Sequence, residues 1–354
     1  MDADENTRAR RLNVLTQSSL KALQSCEELF RLRYLERLVP MEEKGYFGIG
    51  TGFHAGIEHQ SPEAGVQALR DARGEPWTLA ESDTLAVDSG VVFAMVEAAL
   101  AKWDDWPASR EVPFQVPLRN PETGGTSTAH VLAGVLDGVY LDALLELKTT
   151  SRLDRDYIAR LLIDFQVTSY LAAASDALGY PVRRVVYRVV KKPGIKPRQG
   201  ETAREHQERC EARKPLAPLK QRKTESDPEY EERSRLREEA REPLARKVPE
   251  SPAEYAERVR EDYRTRPDFY CEEVIVTRTD DDIERWRWEV WSMHQRILEL
   301  ERGRFPVRNT GACLDYGRCT FFDLCTGQVG VEAFRVREDA HPELPRAQLL
   351  LTGA

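Results

Sequence analysis

Residues 130–170 read HVLAGVLDGVYLDALLELKTTSRLDRDYIARLLIDFQVTSY, and this stretch decides the fold. Two aliphatic runs, residues 131–139 and residues 143–148, are separated by a short link, which predicts two strands joined as a hairpin. Apolar residues then recur with helical spacing over residues 157–178, before a glycine, and predict one amphipathic helix. The stretch therefore predicts an α/β unit of two strands and a following helix.

Charged residues interrupt the second predicted strand. Because side chains alternate faces along a strand, Glu146 and Lys148 share one face, while Leu145 and Leu147 face the opposite layer. The hairpin brings Asp137 alongside them. Two carboxylates suit Mg²⁺, and a neighbouring lysine can orient the attacking water and offset phosphate charge. The pattern favours phosphodiester hydrolysis, although an edge-strand ion pair beside a turn aspartate explains the same residues.

The helix adds a third motif, because Gln166 and Tyr170 are four residues apart and share a face. The combined pattern is Gly134-x-x-Asp137-Gly138, Glu146-x-Lys148 and Gln166-x-x-x-Tyr170. It resembles the RecB-like branch of the PD-(D/E)XK nuclease superfamily. The resemblance implies a restriction-endonuclease-like α/β core, with a mixed central sheet flanked by helices, and a metal-dependent DNA nuclease. It also implies Asp137, Glu146 and the backbone carbonyl of Leu147 as metal ligands, with Gln166 and Tyr170 orienting the strand or Lys148.

A glycine-rich segment precedes a second helix-like pattern, Gly50-x-x-x-His54-x-x-x-Glu58. The same branch has a helix of this form that supplies a histidine to the metal. A neutral imidazole is a suitable further ligand for Mn²⁺ or Mg²⁺. We therefore predict His54 as a ligand, the alternative being a histidine that only packs in its helix.

Three cysteines near the end of the sequence, Cys313, Cys319 and Cys325, follow one another at intervals of six in a glycine- and aromatic-rich loop. Cysteines grouped in this way indicate a soft metal held by four thiolates, and Cys26 is the candidate for the fourth. One early cysteine with three late ones resembles the AddB-like, iron–sulfur members of the branch, which implies a 4Fe-4S cluster that staples the chain. The usual spacing has its first two cysteines closer together, so zinc or unligated thiols stay open.

Composition limits the class of protein. The chain has 354 residues with 41% hydrophobic content, enough for a substantial core, and its formal net charge of -8 speaks against a protein that coats DNA through bulk positive charge. Its charged beginning lacks the apolar centre of a signal peptide, and no membrane association is expected. We therefore predict a soluble, cytoplasmic protein with reduced or metal-bound cysteines.

Basic residues cluster over residues 182–198, a segment without an acid. Within it, Arg184, Arg188, Lys191 and Lys192 are candidates for contacts with DNA phosphates. The alternative is a central strand whose arginines only solvate its ends. The two interpretations have similar weight at this stage.

Composition also predicts the domain organisation. Residues 1–190 and 267–330 would form the nuclease core, residues 191–266 a charged and mainly helical insertion, and residues 331–354 a C-terminal tail. The resemblance implies exonucleolytic hydrolysis of DNA in recombination, repair or phage replication, with a helicase or recombination protein as a possible partner. The alternatives are a non-catalytic DNA-binding module and a structural subunit of a helicase–nuclease complex.

Overall fold

The computed structural model of the chain describes residues 12–41, 48–76, 78–213, 219–241, 244–315 and 317–344. Its strands are β1 (Val14–Leu15), β2 (Leu38–Pro40), β3 (Ser109–Arg119), β4 (Thr126–Val139), β5 (Leu144–Thr150), β6 (Arg184–Lys191), β7 (Cys271–Thr277) and β8 (Phe334–Val336). Its first helices are α1 (Gln17–Ser25), α2 (Glu27–Phe30), α3 (Gly48–Glu58), α4 (Pro62–Arg73), α5 (Leu79–Lys102), α6 (Arg155–Leu162) and α7 (Phe165–Leu178). Its later helices are α8 (Ala203–Glu211), α9 (Asp227–Glu239), α10 (Pro252–Thr265), α11 (Pro267–Tyr270), α12 (Asp280–Glu301) and α13 (Phe322–Cys325).

A six-stranded mixed sheet forms the centre of the fold. Its order is β1-β4-β5-β6-β7, and β3 pairs with β4 as well. The β1–β4 and β5–β6 pairs are parallel, whereas β3–β4, β4–β5 and β6–β7 are antiparallel. Helices cover both faces, so the predicted α/β fold with a mixed sheet is confirmed.

Strand β5 shows why the alternation of its residues matters. Leu145 and Leu147 are buried in a core built with α3, α5 and α10. On the opposite side, α1, α7 and α12 pack over the sheet in a second core. Glu146 and Lys148 lie on this second side, as the strand periodicity predicts.

The helix predicted over residues 157–178 is wrong in one respect, because it is two helices. Ile163 and Asp164 separate α6 from α7, and the Asp164 carboxylate caps α7 by accepting a hydrogen bond from the backbone N–H of Gln166 at 2.9 Å. A similar break separates α1 from α2 at Cys26, whose backbone is extended. At the α6–α7 joint, local capping by Asp164 therefore overrides the apolar periodicity.

Helix α3 packs unusually closely on its neighbours through glycines. A Cβ added at Gly52 would lie 2.7 Å from the carbonyl oxygen of Gly65 in α4, and one added at Gly56 would lie 2.4 Å from the side chain of Val96 in α5. Only glycine allows this approach. The close packing fixes the position of His54, which α3 carries.

Parts of the predicted insertion and of the predicted tail pack onto the rest of the fold. Helices α8 and α9 bury no residue, but α10 buries Tyr255, Val259 and Tyr263 against the core that contains α5. In the predicted tail, β8 pairs antiparallel with β2. The compact fold thus continues into both segments.

Helix α5 is the longest of the described helices and runs from Leu79 to Lys102. With 24 residues and a mean hydropathy of 1.6 over its most apolar window, it is long and apolar enough to cross a membrane. Core helices of soluble proteins meet the same two conditions, so length and hydropathy alone do not identify α5 as a membrane span. Its buried side chains pack with those of α3 and α10.

Candidate active site

The pairing of β4 with β5 ends next to the charged residues Asp137 and Glu146. Its paired residues end at Gly138 opposite Leu145, and the next position of this register would set Asp137 opposite Glu146. There the Asp137 Oδ2 atom accepts a hydrogen bond from the backbone N–H of Leu147 at 2.6 Å. A side-chain oxygen thus replaces a strand carbonyl, which brings the Asp137 carboxylate to the backbone between Glu146 and Lys148.

Three side chains that could ligate a metal ion, from three elements, converge beside this point. His54 Nδ1 on α3 lies 3.4 Å from Asp137 Oδ1 and 3.8 Å from an oxygen of Glu111 on β3. One ligand atom from each of the three residues lies within 4.8 Å of the other two. Two carboxylate oxygens and an imidazole nitrogen are a donor set that fits Mg²⁺ or Mn²⁺.

Glu111 is a functional candidate that the sequence analysis missed. It lies between two residues of β3, Arg110 and Val112, whose β4 partners flank Asp137, and its backbone has a φ of +48°, in the left-handed region. The signal was hidden because the register shifts between Pro117 and Arg119. Counting back from the turn across this irregularity pairs Glu111 with the wrong residue of β4.

The other predicted residues meet on the neighbouring side of β5. Lys148 Nζ donates hydrogen bonds to Glu146 Oε1 at 2.6 Å and to Gln166 Oε1 at 3.0 Å. The Gln166 amide nitrogen donates to Glu146 Oε1 at 2.9 Å and to the Tyr170 hydroxyl at 3.0 Å. The structure therefore brings Glu146, Lys148, Gln166 and Tyr170 together. The backbone N–H of Leu147 bonds to Asp137, and ligation of a metal by its carbonyl stays a prediction.

Burial and mutual charge set the protonation of the site. Burial alone would lower the pKa of His54, but the carboxylates of Asp137 and Glu111 outweigh it and raise the pKa to about 10. Burial raises the pKa of Glu146 to about 7, against the opposing effect of Lys148. Burial would likewise raise the pKa of Asp137, yet His54, Lys148 and the Leu147 N–H hold it below its ordinary value. The Asp137 and Glu111 carboxylates that favour a proton on His54 would equally favour a metal cation in place of that proton.

The four predicted cysteine ligands line one cavity. Cys26 at the α1–α2 joint and Cys313, Cys319 and Cys325 all border a space of about 510 Å³. Among the described residues, no three of these sulfurs come within 4.8 Å of one another. That separation does not match a preformed zinc tetrahedron, in which every sulfur lies ~2.3 Å from one ion.

The predicted DNA-binding residues have different surroundings. Arg188 is 1% exposed, donates to Asp105 and Glu273, and lies over two tryptophan rings, so its guanidinium is enclosed in the protein. Arg184 is bonded to Asp142 at 2.9 Å on the surface. Lys191 Nζ lies 3.8 Å from the centroid of the Phe269 ring, and Lys192 is partly exposed. Only three of the four are thus accessible to a phosphate.

Comparison with known proteins agrees with this geometry. The sequence model of the PD-(D/E)XK nuclease superfamily matches residues 14–326, and the chain belongs to that superfamily. No curated protein matches the chain. Among solved structures, the chain is similar to a crystal structure described as "Putative exonuclease" from Eubacterium rectale, with 11% identity, a TM-score of 0.47, and coverage of 99% of this chain and 97% of that one. That likeness is too low to carry an argument.

Proposed function

We propose that the protein is an Mg²⁺- or Mn²⁺-dependent deoxyribonuclease that degrades DNA from an end. The observation that carries the proposal is the meeting of Asp137, Glu146 and Lys148 at an opened hairpin, with His54 and Glu111 facing the same carboxylate. Superfamily membership implies nuclease chemistry, which this donor set can support.

Each residue has a distinct role in the proposed reaction. His54, Glu111 and Asp137 would hold the cation, with Glu146 and the Leu147 carbonyl completing its protein ligands. The bound cation supplies Lewis-acid charge beside the scissile phosphate. Lys148 would orient the attacking water and offset charge developing on the phosphate, which its Nζ can do from its position against Glu146. Gln166 holds Lys148, and Tyr170 in turn contacts Gln166.

We further propose that the protein belongs to the RecB-like branch and, like its AddB-like members, holds a 4Fe-4S cluster on Cys26, Cys313, Cys319 and Cys325. The cavity that all four cysteines line supports this. A latch beside Cys26 supports it too. Glu27 accepts hydrogen bonds from Arg304 at 2.6 Å and from the Val307 N–H at 2.8 Å, which ties the late segment to α2.

Anaerobic purification with iron, sulfide and zinc analysis tests the cluster. We expect iron and acid-labile sulfide in equal amounts, with broad visible absorbance, and loss of both in Cys313→Ser. Cys210→Ser is the matched control, because Cys210 is exposed in α8 and lies outside the cavity. Stoichiometric zinc without iron, or retention of the cluster in Cys313→Ser, would contradict the proposal.

DNA contacts and cellular setting complete the proposal. Arg184, Lys191 and Lys192 would bind phosphates along β6, while enclosed Arg188 would hold the scaffold. A role in recombination, repair or phage replication, beside a helicase or recombination protein, follows from the resemblance to the RecB-like branch. A cytoplasmic location would keep the six free cysteines reduced.

Cleavage of matched linear and circular substrates tests the activity. Single- and double-stranded DNA would be offered in both forms, with RNA alongside, in Mg²⁺ or in EDTA. We expect Mg²⁺-dependent loss of linear DNA and intact circles. The Asp137→Asn variant, purified in parallel, reports contaminating nucleases and should be inactive. Cleavage of circles would make the enzyme an endonuclease, and activity in EDTA would overturn metal dependence.

A further inference from the structure

The corner between α6 and α7 exposes two large aliphatic side chains in sequence. Leu162 is 52% exposed and Ile163 is 82% exposed. Single exposed aliphatic residues are ordinary on protein surfaces. An adjacent pair at a sharp break between two helices is more informative, because both side chains project from one point.

This corner lies beside the candidate active site. Ile163 is three residues from Gln166, which contacts both Lys148 and Glu146. Three residues of chain span at most about 11 Å between Cα atoms. A DNA strand whose phosphate contacts Lys148 therefore has its nearest bases close to this corner.

The corner is rigidly supported. The Asp164 carboxylate, directly after Ile163, accepts hydrogen bonds from the Tyr187 hydroxyl at 2.9 Å and from the Gln166 N–H at 2.9 Å. Its backbone carbonyl accepts a hydrogen bond from Arg278 at 3.3 Å. Strand β6 and the chain after β7 thus hold the base of the corner, so the exposed pair stands on a fixed support.

Charge around the corner suits a nucleic acid. Arg155 and Arg160 of α6 are exposed, and within the described ranges neither forms an ion pair with a carboxylate. Arg152 is the contrasting case, since its guanidinium pairs with Asp154. Two unpaired cations next to an apolar pair match a polymer that has phosphates on one side and bases on the other.

We propose that Leu162 and Ile163 form a wedge that inserts at the end of duplex DNA and separates the terminal base from its stack, while Arg155 and Arg160 contact the adjoining phosphates. This inference rests on the proposed nuclease function. Aliphatic side chains inserted at a base step are a known means of unstacking DNA. The wedge would let a paired strand end reach Lys148 as a single strand.

The double variant Leu162→Ser/Ile163→Ser tests the wedge, because both residues are exposed and the substitutions leave the core intact. Cleavage of one labelled strand is measured alone and within a blunt duplex. We expect the rate on the single strand to stay within about twofold of the wild type, and the rate on the duplex to fall about tenfold or more, since unstacking then lacks its compensating contact. The double variant Leu79→Ser/Val331→Ser, which changes two exposed aliphatic residues elsewhere in the chain, is the matched control and should cleave both substrates normally.

A binding measurement separates this inference from the proposed function. Duplex DNA with 2-aminopurine as its terminal base is titrated with protein in Ca²⁺, where no cleavage is required. The wild type should raise the fluorescence of the unstacked base, and the double variant should bind without raising it. An equal response from both proteins, the absence of a response from the wild type, or equal loss of cleavage on single strands and duplexes would overturn the wedge. Absence of all cleavage with a normal fluorescence response would instead reject the proposed nuclease function alone.

Discussion

Glu111 has a backbone φ of +48°, in the left-handed region, although it lies within the span of strand β3. This conformation is costly for a residue with a side chain, and it persists where the surroundings enforce it, often at functional sites. Here its carboxylate faces His54 Nδ1 at 3.8 Å, near Asp137. The unfavourable backbone conformation of Glu111 thus places a further carboxylate in the cation site.

Substitution of Glu111 by glutamine tests that role. The variant keeps the shape of the side chain but loses its charge, so we expect the Mg²⁺ concentration for half-maximal cleavage to rise about tenfold or more. Glu122→Gln, in the exposed turn before β4, should leave the requirement unchanged. An unchanged Mg²⁺ requirement in Glu111→Gln would remove this residue from the cation site.

Most of the candidate site could be predicted because its motifs are local. Spacing of two and of four residues sets Glu146 with Lys148 and Gln166 with Tyr170 on common faces in any strand or helix. Glu111 depends instead on a strand register with an irregularity, which no local pattern reports. The enclosure of Arg188 was missed for the same reason, since its partners Asp105 and Glu273 are distant in sequence.

At the scale of elements, the position of His54 depends on the packing of α3. Gly52 approaches the backbone of α4 too closely for a side chain, whereas a Cβ at Gly50 would meet nothing nearer than Thr149 Oγ1 at 3.8 Å. The fold thus has no room for a side chain at Gly52 but has room for one at Gly50. The two glycines form a matched pair for testing how the helix is held.

Alanine at these two glycines should change stability in opposite directions. Gly52→Ala forces α3 from α4 and should lower the free energy of unfolding by about 1–3 kcal/mol. Gly50→Ala meets open space and should raise it by up to about 1 kcal/mol through helix propensity. Urea unfolding followed by circular dichroism measures both. Equal stability of the two variants would mean that the glycine contact does not constrain α3.

Helix boundaries were the least predictable elements. The α6–α7 break depends on a single capping side chain, Asp164, inside an uninterrupted apolar period. A polar residue at such a position is compatible with a continuous helix as well. The hydrogen bond from Tyr187 to Asp164 shows that tertiary contacts favour the break.

At the scale of the molecule, a buried histidine pair ties the sheet to α12. The His130 and His294 rings lie 5.1 Å apart, and the Glu301 carboxylate contacts His130 at 3.1 Å and the Leu12 N–H at 2.8 Å. His294 also contacts Ser127 Oγ at 3.0 Å. This cluster joins the first described residues, β4 and the end of α12, so its protonation affects the whole fold.

Stability should therefore depend on pH between about 4 and about 6.5. Burial, and secondarily the neighbouring His130, lower the pKa of His294 to about 4. The unfolded chain takes up the proton first as pH falls. The contribution is therefore complete above pH ~6.5 and is lost toward pH ~4, by up to roughly 3 kcal/mol.

Urea unfolding at a series of pH values checks this dependence. His294→Gln should flatten the slope of unfolding free energy between pH ~4 and ~6.5, whereas His59→Gln, whose side chain is 61% exposed, should keep it. The same slope in the wild type and in His294→Gln would contradict the assignment.

The overall architecture could be predicted from the sequence more completely than the ends of the individual helices. Strand alternation and the helical periods predicted an α/β unit, and the resemblance to the PD-(D/E)XK pattern implied the mixed sheet that the structure has. The pairing of β2 with β8 and the packing of α10 on α5 were not predicted, because both join segments that composition presents as peripheral. Such long-range contacts leave no local pattern.

The proposed catalytic centre is tested most directly by the single-turnover rate of DNA cleavage in Mg²⁺ by the wild type and by Lys148→Met, with Mn²⁺ affinity measured on the same preparations. We expect the rate to fall about 10²-fold or more in Lys148→Met, with Mn²⁺ binding undiminished, because Lys148 acts on the reacting groups and not as a ligand. Cleavage at the wild-type rate by Lys148→Met would contradict the claim that this hairpin is the catalytic centre.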